Sequence, residues 1–245
     1  MVSRHKVTIT DIAEHVGMTN MTVSRALNNP DKVKVATREK ILAAAKELGY
    51  VPNAFASHLR SRKNRLIGLV TASVDNPFYS EVIKAVSRAA EERDYTIILI
   101  DTDGSPQREE VAIETLLSYQ VAGIILSPVS DAAAYHPAYL DRLRATRLPV
   151  VMLDRTLNVS DFSRVVLDNH LAGSLLGELL VKKDIRRVLA LTGPRDSRIT
   201  QDRLIGLKTA FDVAGVSLVV EQRPGDYTLQ PAYRDMADYL RQGKL

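Results

Sequence analysis

The chain of 245 residues contains no cysteine and no tryptophan, and aromatic residues make up only 5% of it. Without cysteine, disulfides, thiolate metal sites and thiol catalysis are excluded, and a reducing cytoplasmic setting is expected. No apolar run approaches the roughly 20 residues of a membrane span. The opening stretch MVSRHKVTITDIAEHV lacks an apolar h-region, so a signal peptide is not expected. A P-loop, GxSxG, GxGxxG and HExxH are all missing. His5, His15, His58, His136 and His170 show neither metal-ligand spacing nor a paired nucleophile. These absences argue against an enzyme and against a resident cofactor or metal.

What is present is divided unevenly. Residues 1–65 carry 12 Lys/Arg and 5 Asp/Glu, whereas the rest carry 21 and 24. A basic head on a mildly acidic body is the footprint of a nucleic-acid binder, or else a solubilising terminus. The pattern within the head favours the first. Thr8 can cap a helix together with Asp11, and Ile12, Ala13 and Val16 form its apolar stripe. Gly17 breaks it. Thr19 or Asn20 then caps a second short helix with Val23 and Leu27 inward. This is the grammar of a helix-turn-helix, whose second helix offers its first exposed side chains to base edges in the major groove. After a polar turn, Thr37 is the expected N-cap of a third helix bearing Ile41, Leu42, Ala45 and Leu48 on one face. Gly49 follows at its C-terminus, then Pro52. Residues 53–65 read as a linker whose four like charges let it become helical only when held.

From Leu66 short Val/Ile/Leu runs recur, at 66–72, 95–101, 122–128, 149–154, 164–168, 186–193 and 216–220. Helical segments near 78–93, 107–119, 136–146, 170–183, 199–214 and 229–241 lie between most of them. Such alternation predicts parallel sheets covered on both faces. The expected domains are a helix-turn-helix head at 1–52, a hinge at 53–65 and an α/β body at 66–245.

Read in order, several motifs resemble the LacI/GalR family of bacterial transcription regulators: Val7-Thr-Ile-Thr-Asp-Ile-Ala13, Val16-Gly-Met-Thr19, Thr22-Val-Ser-Arg25, Thr37-Arg-Glu-Lys40, Leu48-Gly-Tyr-Val-Pro-Asn53, Ile67-Gly-Leu, Asn76-Pro-Phe and Arg203-Leu-Ile-Gly206. The resemblance implies an all-α helix-turn-helix head followed by a periplasmic-binding-protein-like core. That core has two doubly wound parallel-sheet subdomains, the second incomplete, with a sugar-sized cleft between them. It also implies homodimers or larger assemblies, palindromic operator DNA, and a small carbohydrate effector. Family members continue past Leu245, so the chain is expected to be a fragment or interrupted reading frame, a natural short form being the other reading. The implied function is a repressor of carbohydrate-utilisation genes. An effector-independent architectural DNA binder and an α/β enzyme with a basic head are the alternatives.

By resemblance, Asn20, Met21 and Arg25 occupy base-reading positions. Arg25 can fork onto guanine or contact phosphate, and Asn20 can pair with adenine or touch phosphate. Met21 can only pack. Thr10, Thr22, Ser24 and Asn28 are expected to contact the backbone or to cap helices. In the hinge, Asn53 and Ala56 fit the family pattern, and Leu59 would wedge into the minor groove or else pack on the head.

Ligands of open α/β sheets bind beyond the C-terminal strand ends. Asn76 and Phe78 follow the first strand, with Phe78 able to stack on a ring. The resemblance places Arg155, Asp168 and Arg203 on the cleft, with Ser197 and Arg198 as weaker candidates. Two arginines in one cleft favour a sugar acid or sugar phosphate over a neutral sugar. Arg155 could instead pair with Asp154, and Asp168-Asn169 could cap the next helix. Residues 153–157, LDRTL, are similar to fructose- and sucrose-type regulators, while NMTVSRAL is similar to gluconate-type ones.

Overall fold

A computed structural model describes residues 7–51 and 64–243. The chain divides into two compact units, residues 1–64 and 65–245.

The first unit is three short helices. Helix α1 (Ile9–Val16) is closed at its start by a reciprocal capping box. The Thr8 amide donates to Asp11 Oδ2 at 2.6 Å while the Asp11 amide donates to Thr8 Oγ1 at 3.4 Å. It ends at Gly17, whose φ of 66° is the left-handed conformation that glycine adopts without a Cβ penalty. Helix α2 (Asn20–Asn28) follows, capped by Thr19, whose hydroxyl accepts from the Thr22 amide. A 3-10 turn (Pro30–Lys32) leads to α3 (Val35–Glu47). Ile12, Val16, Val23, Ala26, Ile41 and Ala45 close the core, with Leu27, Val33 and Leu48 packed around it.

Two expectations fail in α3. The helix starts two residues before Thr37, after Lys34, which makes no side-chain cap. Val33 packs on the core and the Lys40 Nζ donates to the Val16 carbonyl at 3.2 Å, so tertiary anchoring places the start. Leu42 is exposed rather than facing inward.

The second unit is α/β. Strands β1 (Leu66–Thr71), β2 (Thr96–Asp101), β3 (Gly123–Leu126), β4 (Val150–Leu153) and β5 (Ser163–Val165) form one sheet in the order β2-β1-β3-β4-β5. Every pairing in it is parallel. Helices α4 (Pro77–Glu91), α5 (Pro106–Ser118) and α6 (Tyr139–Thr146) make the connections. Val70, Ile113, Leu116, Ile124, Leu126, Leu143 and Met152 form its core. At Gly68 an added Cβ would stand 2.4 Å from a Leu116 methyl, so any larger residue there would force the Leu116 side chain of α5 to shift.

After β5 comes α7 (Asn169–Lys182), then β6 (Arg187–Thr192), α8 (Arg198–Val213), β7 (Val219–Pro224) and α9 (Leu229–Arg241). Strands β6 and β7 form a second parallel sheet. Strand β7 lies several residues later than expected at 216–220, because its register pairs Arg187 with Val219 and Thr192 with Pro224. Half of it is therefore the polar stretch Glu221-Gln222-Arg223, which carries no apolar signal. No helix among the described residues is long and apolar enough to cross a membrane.

Candidate functional sites

The exposed face of α2 carries the candidate DNA-reading residues. Burial of Val23 and Ala26 turns the opposite side of the helix outward. Asn20, Met21, Arg25 and Asn28 are exposed there, with Thr22 and Ser24 half-buried beside them. Asn20 Nδ2 donates to Thr10 Oγ1 at 3.3 Å, which ties the start of α2 to α1. The Asn28 side-chain Nδ2 donates to the Ser24 carbonyl at 2.8 Å. Thr22 joins the Thr19 cap through its hydroxyl at 3.0 Å. The Arg25 guanidinium has no ion-pair partner among the described residues. It is a cation held at the surface with its donors available. Asn53, Ala56 and Leu59 lie outside the described residues.

In the second unit the strand order reverses between β1 and β3, which is where open sheets of this type take ligands. A cavity of about 260 Å³ lies there, lined by Asn76, Phe78, Tyr79, Asp154, Arg155, Ile199, Arg203 and Tyr227. Asn76 caps α4, its Oδ1 accepting from the Phe78 amide at 3.0 Å. That turn projects Phe78 into the opening and buries Tyr79. The Tyr79 hydroxyl lies 2.6 Å from Ser127 Oγ and donates to Asp154 Oδ2 at 3.2 Å. Burial and the neighbouring Asp154 push the Tyr79 phenol up to about 12, so it stays protonated.

Asp154 follows β4 in the left-handed region, at φ 62°. Burial raises its carboxyl above the usual range, against the opposing pull of the Tyr79 hydrogen bond, Arg155 and Arg203. Arg155 does not pair with Asp154. Its Nη1 donates to the Val129 carbonyl at 2.6 Å, and its guanidinium lies 5.5 Å from the centre of the Tyr227 ring. Arg203, one turn into α8, donates from Nε to Asn169 Oδ1 at 2.8 Å. Neither arginine forms an ion pair with a carboxylate among the described residues. Both are oriented by neutral acceptors, Arg155 by the Pro128 and Val129 carbonyls and Arg203 by Asn169, and keep further donors for a guest. Such partly engaged guanidinium forks match a carboxylate or phosphate.

Four of the expected cleft residues, Asn76, Phe78, Arg155 and Arg203, meet in this cavity. Asp168 does not: its Oδ1 accepts from the Leu171 amide at 2.8 Å and caps α7. Ser197 does not either. It is the N-cap of α8 and is buried, its hydroxyl 3.2 Å from both Asp131 Oδ2 and the Tyr227 hydroxyl. Arg198 faces away as well, donating to the Asp131 and Thr156 carbonyls. Ile199 and Tyr227 were not foreseen, and Tyr79 only as the end of the Asp75–Tyr79 stretch that follows the first strand. Tyr79 was within reach, because it immediately follows Phe78 in the same helix turn. Tyr227 comes from a loop after a polar strand and had no signal.

The geometry defines a class: a helix-turn-helix unit joined in one chain to a parallel α/β unit with a polar cavity at its strand ends. The comparisons agree with both parts. Residues 8–53 match the model described as bacterial regulatory proteins, lacI family, and residues 67–245 match the periplasmic binding protein domain. The chain is similar to the ribose operon repressor of Escherichia coli K12, at 32% identity over 86% of this chain and 63% of that protein. It is also similar to the HTH-type transcriptional repressor PurR of Erwinia tasmaniensis, at 30% identity over 96% of this chain and 69% of that one. Among solved structures, the lac repressor dimer bound to operator and the anti-inducer ONPF superposes with a TM-score of 0.77. It has 26% identity and covers 98% of this chain and 71% of its own. The chain belongs to the lacI family of bacterial regulatory proteins. It spans 63% of the length of the ribose operon repressor it matches.

Proposed function

We propose that the chain is the DNA-reading and effector-sensing part of a transcriptional repressor of carbohydrate-utilisation genes, and not an enzyme. Its work is to bind a palindromic operator as a homodimer or larger assembly in the cytoplasm. Its DNA affinity is set by a small sugar, sugar acid or sugar phosphate.

The observation that carries this reading is the exposed face of α2, a short helix packed by its other side and presenting Asn20, Met21 and Arg25 outward. Arg25 forks onto a guanine edge, and Thr10, Thr22, Ser24 and Asn28 serve the phosphate backbone or brace the helices. Asn53, Ala56 and Leu59 belong to the hinge, where Leu59 wedges the minor groove. The effector sits between Phe78 and Tyr227, and Arg155 and Arg203 meet its anionic group. A ligand held by both β4 and α8 favours one arrangement of these elements over another, and this differential contact would couple it to DNA.

The test is fluorescence anisotropy of the purified chain on a selected operator, titrated with neutral sugars, sugar acids and sugar phosphates. A ligand-dependent shift in operator affinity supports the sensing role. Equal affinity across all ligands, with ligand binding shown separately, contradicts it.

A further inference from the structure

Glu109, on α5, is completely buried, yet it forms no ion pair with a cation among the described residues. Three neutral donors hold it instead. Oε1 accepts from the Tyr135 hydroxyl at 2.8 Å and the Tyr139 hydroxyl at 2.7 Å, and Oε2 accepts from the Val129 amide at 2.6 Å. A buried carboxylate costs desolvation unless such bonds meet it. These bonds also tie α5 and α6 to the loop that follows β3. The remaining links of that loop lead into the cavity region. The Val129 carbonyl, on the same residue, takes Arg155 Nη1 at 2.6 Å. Two residues on, Asp131 Oδ2 accepts from the Ile199 amide at 3.0 Å and from Ser197 Oγ at 3.2 Å, pinning the first turn of α8. Arg203 lies one turn further along that helix. The charge of Arg155 also reaches Glu109, opposing the upward pull of burial on its carboxyl.

We propose that Glu109 is a positioning residue for the cleft: from behind the 127–131 loop it sets Arg155 through Val129, and the start of α8 through Asp131. It touches no guest. Its part is to supply the acceptor that fixes the Val129 amide, so that the opposite side of the same residue presents its carbonyl to Arg155. This goes beyond the assignment of an effector and does not depend on the effector's identity.

The test compares Glu109→Met, which keeps the volume and removes the acceptor, with Glu109→Gln in the 245-residue chain. Gln can turn its carbonyl to Val129 and its amide to the tyrosine hydroxyls, which can accept as well as donate. Amide hydrogen exchange and the phenylglyoxal modification rate of Arg155 are read by mass spectrometry. In Glu109→Met, exchange at 127–132 and in the first turn of α8 rises about tenfold, and Arg155 reacts faster. Strand β6 and helix α7 hold their rates, and Gln restores the wild-type values. Unchanged loop and Arg155 rates in folded Glu109→Met overturn the proposal. So does a uniform rise through β6 and α7, or a Gln variant as loose as Met. If Glu109→Met does not fold, Tyr135→Phe serves. Removing one donor should raise the same two rates about two- to threefold, and no change there overturns the proposal.

Discussion

The Tyr79 hydroxyl donates to Asp154 Oδ2 across 3.2 Å at the floor of the cavity, between a phenol that stays protonated and a carboxyl whose ionisation burial opposes. The linkage has a definite sign. Asp154 titrates higher in the folded chain than in the unfolded one, so it favours folding below about pH 3.9, the ordinary value. That contribution is lost as pH rises through the folded value. Asp154→Asn removes the loss. The melting temperature of the variant relative to wild type is therefore expected to climb from acid to neutral pH and then level off. A flat difference across that range contradicts the assignment.

The crossing of α7 and α8 depends on glycine. An added Cβ at Gly173 would stand 2.1 Å from the Arg203 carbonyl oxygen, and one at Gly206 would stand 2.0 Å from that of His170. Backbone cannot yield as a side-chain tip can. Gly173→Ala should cost about 3 kcal/mol in urea unfolding of the second unit. A loss within about 0.5 kcal/mol, the range of neutral surface changes, would show that the helices part freely.

If Arg155 and Arg203 meet an anionic group, thermal-shift titration should discriminate by charge. A sugar acid or sugar phosphate stabilises the chain where the matching neutral sugar does not. Arg203→Ala should weaken that ligand by about tenfold or more, the loss of a charged hydrogen-bonding partner. Tight neutral-sugar binding that Arg203→Ala leaves intact would reverse the assignment of charge.

Much of this was legible in the chain itself. The strand-helix alternation from Leu66 onward reports burial on both faces of a parallel sheet, and such burial writes itself as apolar runs. Strand β7 escaped because half of it is polar. In the head, Thr8 and Asp11 are paired in sequence as they are in space, whereas the start of α3 is set by packing that no local pattern encodes. The cavity divides the same way. Phe78 and Arg203 stand beside recognisable strand ends or motifs. Asp168 and Ser197 are residue types that serve helix caps as readily as ligands, and both act as caps here. Tyr227 comes together with Arg155 only through the tertiary fold.

If Leu59 wedges the minor groove as proposed, Leu59→Ala should reduce operator bending while the head's contacts persist, since an apolar wedge unstacks the step it enters. Circular-permutation gel shifts measure the bend. An unaltered bend angle removes the wedge from the account.

The central claim is that α2 reads sequence through Arg25. The most direct measurement is selection from random duplex DNA with the wild-type chain and with Arg25→Ala, read by sequencing the enriched pools. The account predicts one palindromic site for wild type. It predicts loss of preference at the guanine under Arg25, worth about 1–3 kcal/mol, in a variant that still binds DNA in a salt-dependent way. A wild-type pool without a shared site, or an Arg25→Ala pool identical to wild type, would contradict it.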